Sequence, residues 1–200
     1  MTIQNIIDAV IHRMAGGDMT PEQIGKYHPG VVKRFLSVVF NDVMYTLYRQ
    51  NDPSIDLYAR EYERVVDYSS TRDLKYITLP VKIIELPLNK GIRMVSYTQD
   101  QTTEIPIISQ QAQSSMANMD VGLMDNDVYG FMVGDTIYLR NLDPFVSRLL
   151  VNVIPAIDEY DDDDDLYLPS GQGTKIVDMV CQLMVGLQEE DVKNDNNTTR

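Results

Sequence analysis

Residues 128–141 read VYGFMVGDTIYLRN. Two runs rich in aromatic and β-branched residues, 128–133 and 136–141, flank Gly134-Asp135. That dipeptide is a favoured loop for a two-residue β-hairpin, because glycine takes the left-handed backbone such loops need. The stretch therefore predicts a hairpin, and its surroundings share its composition. From 55 to 157 the chain is rich in valine, isoleucine, tyrosine and threonine, and prolines at 80, 87, 106, 144 and 155 cut it into short runs. YERVVDY (62–68), KYITLPVKIIELP (75–87), IRMVSYTQ (92–99), EIPIIS (104–109) and VSRLLVNVIP (146–155) read as further strands. Asn89-Lys90-Gly91 marks a turn between two of them. SQQAQSSMANMD (109–120) is polar and weakly helical, a flexible connection or a loosely packed helix.

Outside this region the period changes from two to 3.6. Ile3, Ile6, Ile7, Val10, Ile11 and Met14 form one stripe of an amphipathic helix, with Thr2 as N-cap and Gly16-Gly17 as its end. MTPEQIGKY (19–27) opens a short helix, Thr20 capping and Pro21 in the first turn. VVKRFLSVVFNDVMYTLYRQ (31–50) carries Val31, Phe35, Val38, Val39, Phe40, Val43 and Leu47 on nearly all sides. It predicts a buried central helix of a bundle, Phe35 included, or a helix in a subunit interface. Asn51-Asp52-Pro53 stops it. A last helix is predicted over 172–188 from Ile176, Val180, Leu183, Met184 and Leu187, with Ser170 as a candidate N-cap. EEDVKNDNNTTR (189–200) has Val192 as its sole aliphatic residue, too little apolar area to offset the entropy of ordering. The predicted fold class is α+β: a helical bundle of N- and C-terminal helices with an inserted antiparallel β-rich module. Its divisions are 1–53 (N-terminal helices), 54–157 (β-rich insert), 158–188 (acidic loop and a helix packing on the N-terminal ones) and 189–200 (flexible tail).

The formal net charge is −13, and seven acidic residues fall within 158–165, DEYDDDDD. Such a chain repels nucleic acid and anionic membranes. The run reads as a solvated, self-repelling spacer between the β module and the closing helix. It has neither the central glycine nor the ligand alternation of a calcium loop. The start MTIQNIIDAVIHRM lacks the basic segment and cleavage site of a signal peptide, and no apolar run approaches the roughly 20 residues of a membrane span. The single cysteine, Cys181, lies in the apolar pattern of the last helix and reads as a buried, inert thiol.

No constellation for catalysis emerges. Gly171-Gln-Gly173-Thr174-Lys175 lacks the spacing and order of a phosphate-binding loop. His12 and His28 have no neighbouring Cys, Asp or Glu pattern resembling a triad or zinc site. The eleven methionines are spread over several elements, as core fillers are. The twelve tyrosines, concentrated in the β module, suit a wet interface or a two-faced sheet equally. The reading is of a non-enzyme without catalytic, cofactor-binding or metal residues and without a cofactor.

Two stretches carry a resemblance: YGFMVGDTIYLRN, a hairpin with an aromatic-glycine strand, and DDDDDLYLPSGQGTKIVDMVCQLMVG, an acidic loop leading through LPSG into a helix. Over roughly 125–190 the chain resembles the head-to-tail adaptor, or ring, proteins of short-tailed bacteriophages (tail tubular A-like), and within them those of the crAss-like phages. The resemblance implies a virion structural protein assembled in the host cytoplasm and resident in the neck. It would form a homo-oligomeric ring, expected to be a dodecamer, docked below the portal protein and touching other tail or ring proteins. Genomic DNA would pass through the lumen without specific binding, and no membrane is involved. Two other classes stay open from the residues alone. One is an acidic soluble binding module, such as a DNA mimic or anti-defence protein. The other is a hydrolase with a divalent metal at the aspartates.

Overall fold

The computed structural model describes residues 1–16, 27–109, 127–166, 168 and 171–195, with the backbone alone described from 187 onward. The expected helix near Thr20, the 109–120 segment beyond Ser109, the Ser170 cap and residues 196–200 lie outside these. The fold is α+β, and it divides into two compact units: Met1–Asp52 with Ile157–Arg200, and Pro53–Ala156.

The first unit holds helices α1 (Ile3–Met14), α2 (Pro29–Arg49) and α3 (Gln172–Asp195), each packed on the other two. Helix α1 buries Ile3, Ile6, Ile7, Val10 and Ile11, the stripe read from the sequence. Its C-terminal turn ends at Gly16, whose φ of 63° suits glycine. Helix α2 starts two residues earlier than its apolar pattern suggests. Pro29 occupies the first turn, where its missing N–H is no loss, and His28 is the N-cap, its Nδ1 accepting from Gly30 N at 3.1 Å. Helix α3 buries Ile176, Val177, Val180, Cys181 and Met184 around the same core, while Leu183 is partly exposed. Burying each such side chain contributes about 1.5–3 kcal/mol.

Two expectations are corrected here. Helix α2 is not buried all round: Val31 and Val38 are exposed and Phe35 is only half-buried. The tail expected from 189 is helical as far as Asp195. Residues 189–195 contain no glycine or proline, and Glu189 stands four residues before Lys193, a spacing that favours helix.

The second unit holds eight strands among the described residues: β1 (Arg60–Val65), β2 (Asp67–Ser69), β3 (Leu74–Thr78), β4 (Ile92–Tyr97), β5 (Ile107–Ile108), β6 (Tyr129–Val133), β7 (Thr136–Arg140) and β8 (Arg148–Val153). One sheet runs β1-β8-β4 and the other β2-β3-β7-β6-β5. Both face one core that includes Ile77, Ile137 and Leu139 from the larger sheet and Val95, Leu149 and Val151 from the smaller. The hairpin forms as predicted, β6 and β7 pairing through Val133↔Thr136 with Gly134 at φ 63°. The expected strand 62–68 is two. It leaves the smaller sheet after Val65 and joins the larger at Asp67, so one run serves both layers. The module is also not purely antiparallel, since β5 pairs parallel with β6. The run 75–87 stops being a strand at Thr78. Beyond Pro80 it keeps a single bridge, Ile83↔Pro155.

Candidate functional site

The aspartate run is more than a spacer. Its side chains stay largely exposed, as charge repulsion requires, but its backbone closes the start of α1. A helix leaves its first four N–H groups without internal partners. Here Ile3 N donates to Asp164 O (3.3 Å), Gln4 N to Asp162 O (2.9 Å) and Asn5 N to Thr2 Oγ1 (3.2 Å), and the helix's own ladder begins with Ile6 N on Thr2 O (3.2 Å). Thr2 and Asp165 form a bridge, and Leu166 N returns to Met1 O at 3.0 Å. Lys33 of α2 pins the loop from its other side, its Nζ 2.8 Å from Asp162 Oδ1 and 3.2 Å from Tyr160 O. The negative loop also lies at the positive end of the α1 dipole. Thr2→Ala is expected to cost about 1 kcal/mol. Changing 161–165 to asparagine leaves every capping carbonyl in place, so its cost is expected to stay within about 1 kcal/mol and to shrink in salt. Urea melts at two ionic strengths check both.

The polar candidates from the sequence are not brought together. His12 is exposed on α1, and His28 is spent on the α2 cap. Cys181 is buried in α3, and burial pushes its thiol above the usual range. Gly171, at φ 82°, leads into α3 without forming a phosphate loop. Among the described residues no group of three His, Cys, Asp or Glu is arranged to hold a metal ion, and no helix is long and apolar enough to cross a membrane.

Besides separate exposed side chains such as Leu57, Leu88 and Val185, the described residues group apolar exposure in two unlike places. On α2, Val31 (42% exposed), Val38 (56%) and Tyr45 (42%) recur every seven residues. They form a stripe on the side away from Leu36, Phe40 and Leu47. The Arg49 guanidinium lies 6.0 Å from the Tyr45 ring centre, and a cleft of about 460 Å³ lined by Asp42, Tyr45, Thr46, Arg49 and Gln50 runs beside it. Helical periodicity alone does not separate such a stripe from a core stripe. The heptad spacing of 31, 38 and 45 was its only signal in the sequence.

The second place is the β7–β8 loop. Phe145 is 94% exposed, and Val65 and Tyr68 nearby in the pairing are 57% and 61% exposed. The loop is nevertheless fixed. Lys75 Nζ donates to Asp143 O (2.8 Å), Pro144 O (3.0 Å) and Val146 O (3.4 Å), and Asp143 Oδ1 accepts from Phe145 N at 2.8 Å. Val66 N donates to Ser147 O at 2.9 Å, and Tyr68 lies opposite Lys75 in the β2–β3 register, so these residues share one end of the module. The Tyr68 hydroxyl donates to Asp73, which holds its phenol above the ordinary value. On the face of the larger sheet opposite Ile77, Ile137 and Leu139, Tyr76, Tyr138 and buried Phe131 form an aromatic row, with the Arg72 guanidinium 4.6 Å from the Tyr138 ring centre.

After β4, Asp100 organises a turn. Its Oδ1 accepts from Thr102 N (3.0 Å) and Thr102 Oγ1 (2.6 Å), and its Oδ2 from Thr103 Oγ1 (2.6 Å). Led by the Thr102 hydroxyl, these bonds lower its pKa to about 2. A depressed carboxyl stabilises the fold above its unfolded value, and that contribution is lost as pH falls through the folded one. The turn is therefore expected to hold at pH 4 and above and to loosen as pH drops towards 2. Carboxyl NMR titration checks this, with Thr102→Ala/Thr103→Ala expected to bring Asp100 back towards 3.8.

No protein family and no curated protein matches this chain in sequence.

Proposed function

We propose that the protein is a subunit of a phage head-to-tail adaptor ring, a virion structural component of the neck rather than an enzyme. The observation that carries this reading is the pair of unlike exposed apolar surfaces, one on each compact unit: the α2 stripe and the Phe145 end of the β module. A ring in the neck needs two kinds of contact, a heterologous one that joins each copy to the next and one that docks it on its neighbour, and two unlike surfaces can serve them. Exposed apolar residues in register on a helix are sites of association.

The resemblance over 125–190 supplies the setting: a ring assembled in the host cytoplasm, dodecameric, below the portal, with genomic DNA passing through its lumen. A strongly acidic chain suits that passage, because affinity for phosphate comes from Lys and Arg. We assign the α2 stripe to the portal contact and the β-module end to contact between copies. On this assignment Val38→Glu abolishes co-migration with a portal protein and leaves the subunit's own multimer intact. Unchanged portal binding by Val38→Glu would remove the α2 assignment.

A further inference from the structure

The first unit carries an open, mainly apolar cleft, and the second an exposed phenylalanine. An open cleft of about 440 Å³ lies between the start of α1 and the start of α3, walled by Met1, Ala9, Leu168, Gly173 and Val177 with Arg13 at its side. A volume of that size accommodates a bound apolar group. Its walls are mainly apolar, and the chain packs closely at Gly173, where a Cβ would fall 2.9 Å from the flexible Met1 Sδ. The charges at its margin include Arg13, paired with Asp178, the Met1 ammonium, 3.3 Å from Asp165 Oδ1, and exposed Lys175, one residue beyond the lining Thr174.

Phe145 is the most exposed large apolar side chain among the described residues, yet it stands on a loop fastened by the Lys75 ammonium and the Asp143 carboxylate. Holding a phenyl group out in water on a fixed loop is unfavourable for a free subunit and useful to a docking one, because little backbone freedom is then lost on binding. The carboxylate of Asp143 at its base complements exposed Lys175 at the margin of the cleft, Arg13 being engaged by Asp178. We propose that Phe145 of one copy inserts into the Met1–Ala9–Leu168–Val177 cleft of the next copy, forming the anchor of a head-to-tail contact, with Val65 and Tyr68 at its rim. A ring buried in this way removes about 150–250 Å² from water, which is a hot spot within a larger interface rather than a whole one. The knob and the cleft are two different surfaces, as a head-to-tail contact requires. The proposal rests on the ring reading.

The test uses complementary variants of the full chain, followed by light scattering after size exclusion. Phe145→Asp removes the knob and keeps the cleft. Thr174→Trp fills the cleft and keeps the knob, and Ala9→Trp serves the same purpose if the first variant fails to fold by circular dichroism. Wild type is expected to multimerise, and each variant alone to be monomeric, its midpoint of assembly raised at least about 30-fold. An equimolar mixture of the two is expected to stop at a heterodimer, since it contains one working knob–cleft pair. Wild-type multimers formed by Phe145→Asp would overturn the inference and leave the ring reading standing. Variants that both dissociate but yield no dimer on mixing would overturn the cleft as receptor. A wild type that stays monomeric would overturn both readings.

Discussion

Replacing Phe40 by alanine is expected to lower the unfolding free energy by about 3–5 kcal/mol, the largest effect of any single truncation in the helical unit. Phe40 is fully buried on α2, and its ring meets that of Tyr160 edge to face at 6.4 Å between centres. Tyr160 belongs to the segment that leads into the aspartate loop, whose Asp162 and Asp164 carbonyls close α1. Removing the ring leaves a cavity at a point where α2 and that segment meet, and neighbours held by hydrogen bonds relax little into it. The contrast is Phe35, one turn and a residue earlier and only half-buried. Its truncation is expected to cost about 1 kcal/mol, in the range of ordinary substitutions. Urea denaturation followed by circular dichroism distinguishes the two, and equal losses would place Phe35 in the core.

Gly91→Ala is expected to destabilise the β module by about 3 kcal/mol, through overlap rather than a cavity. A Cβ at this position would lie 2.4 Å from the carbonyl oxygen of Ile84. The oxygen has no room to retreat, because Ile84 N donates to Ile154 O at 3.0 Å and Ile154 N donates to Gly91 O at 2.8 Å. Three backbone segments are thus tied within a few ångströms, and strand β8 leads directly into this knot. Gly134→Ala makes a useful comparison, since nothing lies within 4 Å of its Cβ and its cost comes from the left-handed φ alone. Thermal unfolding of the two variants reads the difference, and a Gly91→Ala melting point equal to the wild type's would contradict the packing described.

The two fold layers were legible where a local signal sufficed. Gly134-Asp135 specifies its own hairpin, Thr2 its own cap, and the stripe from Ile3 to Ile11 its own buried face. What escaped depends on partners distant in sequence. Nothing within 158–165 announces that its carbonyls receive the N–H groups of Ile3 and Gln4, since the side chains advertise only charge. Nor does YERVVDY announce a change of sheet at Val66, because alternation persists while the pairing partner switches from β8 to β3. On α2, an apolar residue counts the same in a periodicity whether it faces Phe40's core or solvent, so exposed Val31 and Val38 read as part of a helix buried in a bundle or in a subunit interface. Phe145 was hidden for a similar reason. A lone aromatic in an Asp-Pro loop carries no pattern, and only the bonds from Lys75 reveal that it is held outward.

Whether this chain closes on copies of itself is tested most directly by the mass of the purified wild-type protein in solution. Light scattering across a dilution series is predicted to give one discrete closed multimer that persists on dilution and is lost in Phe145→Asp. A wild-type mass equal to that of a single chain at every concentration would contradict it.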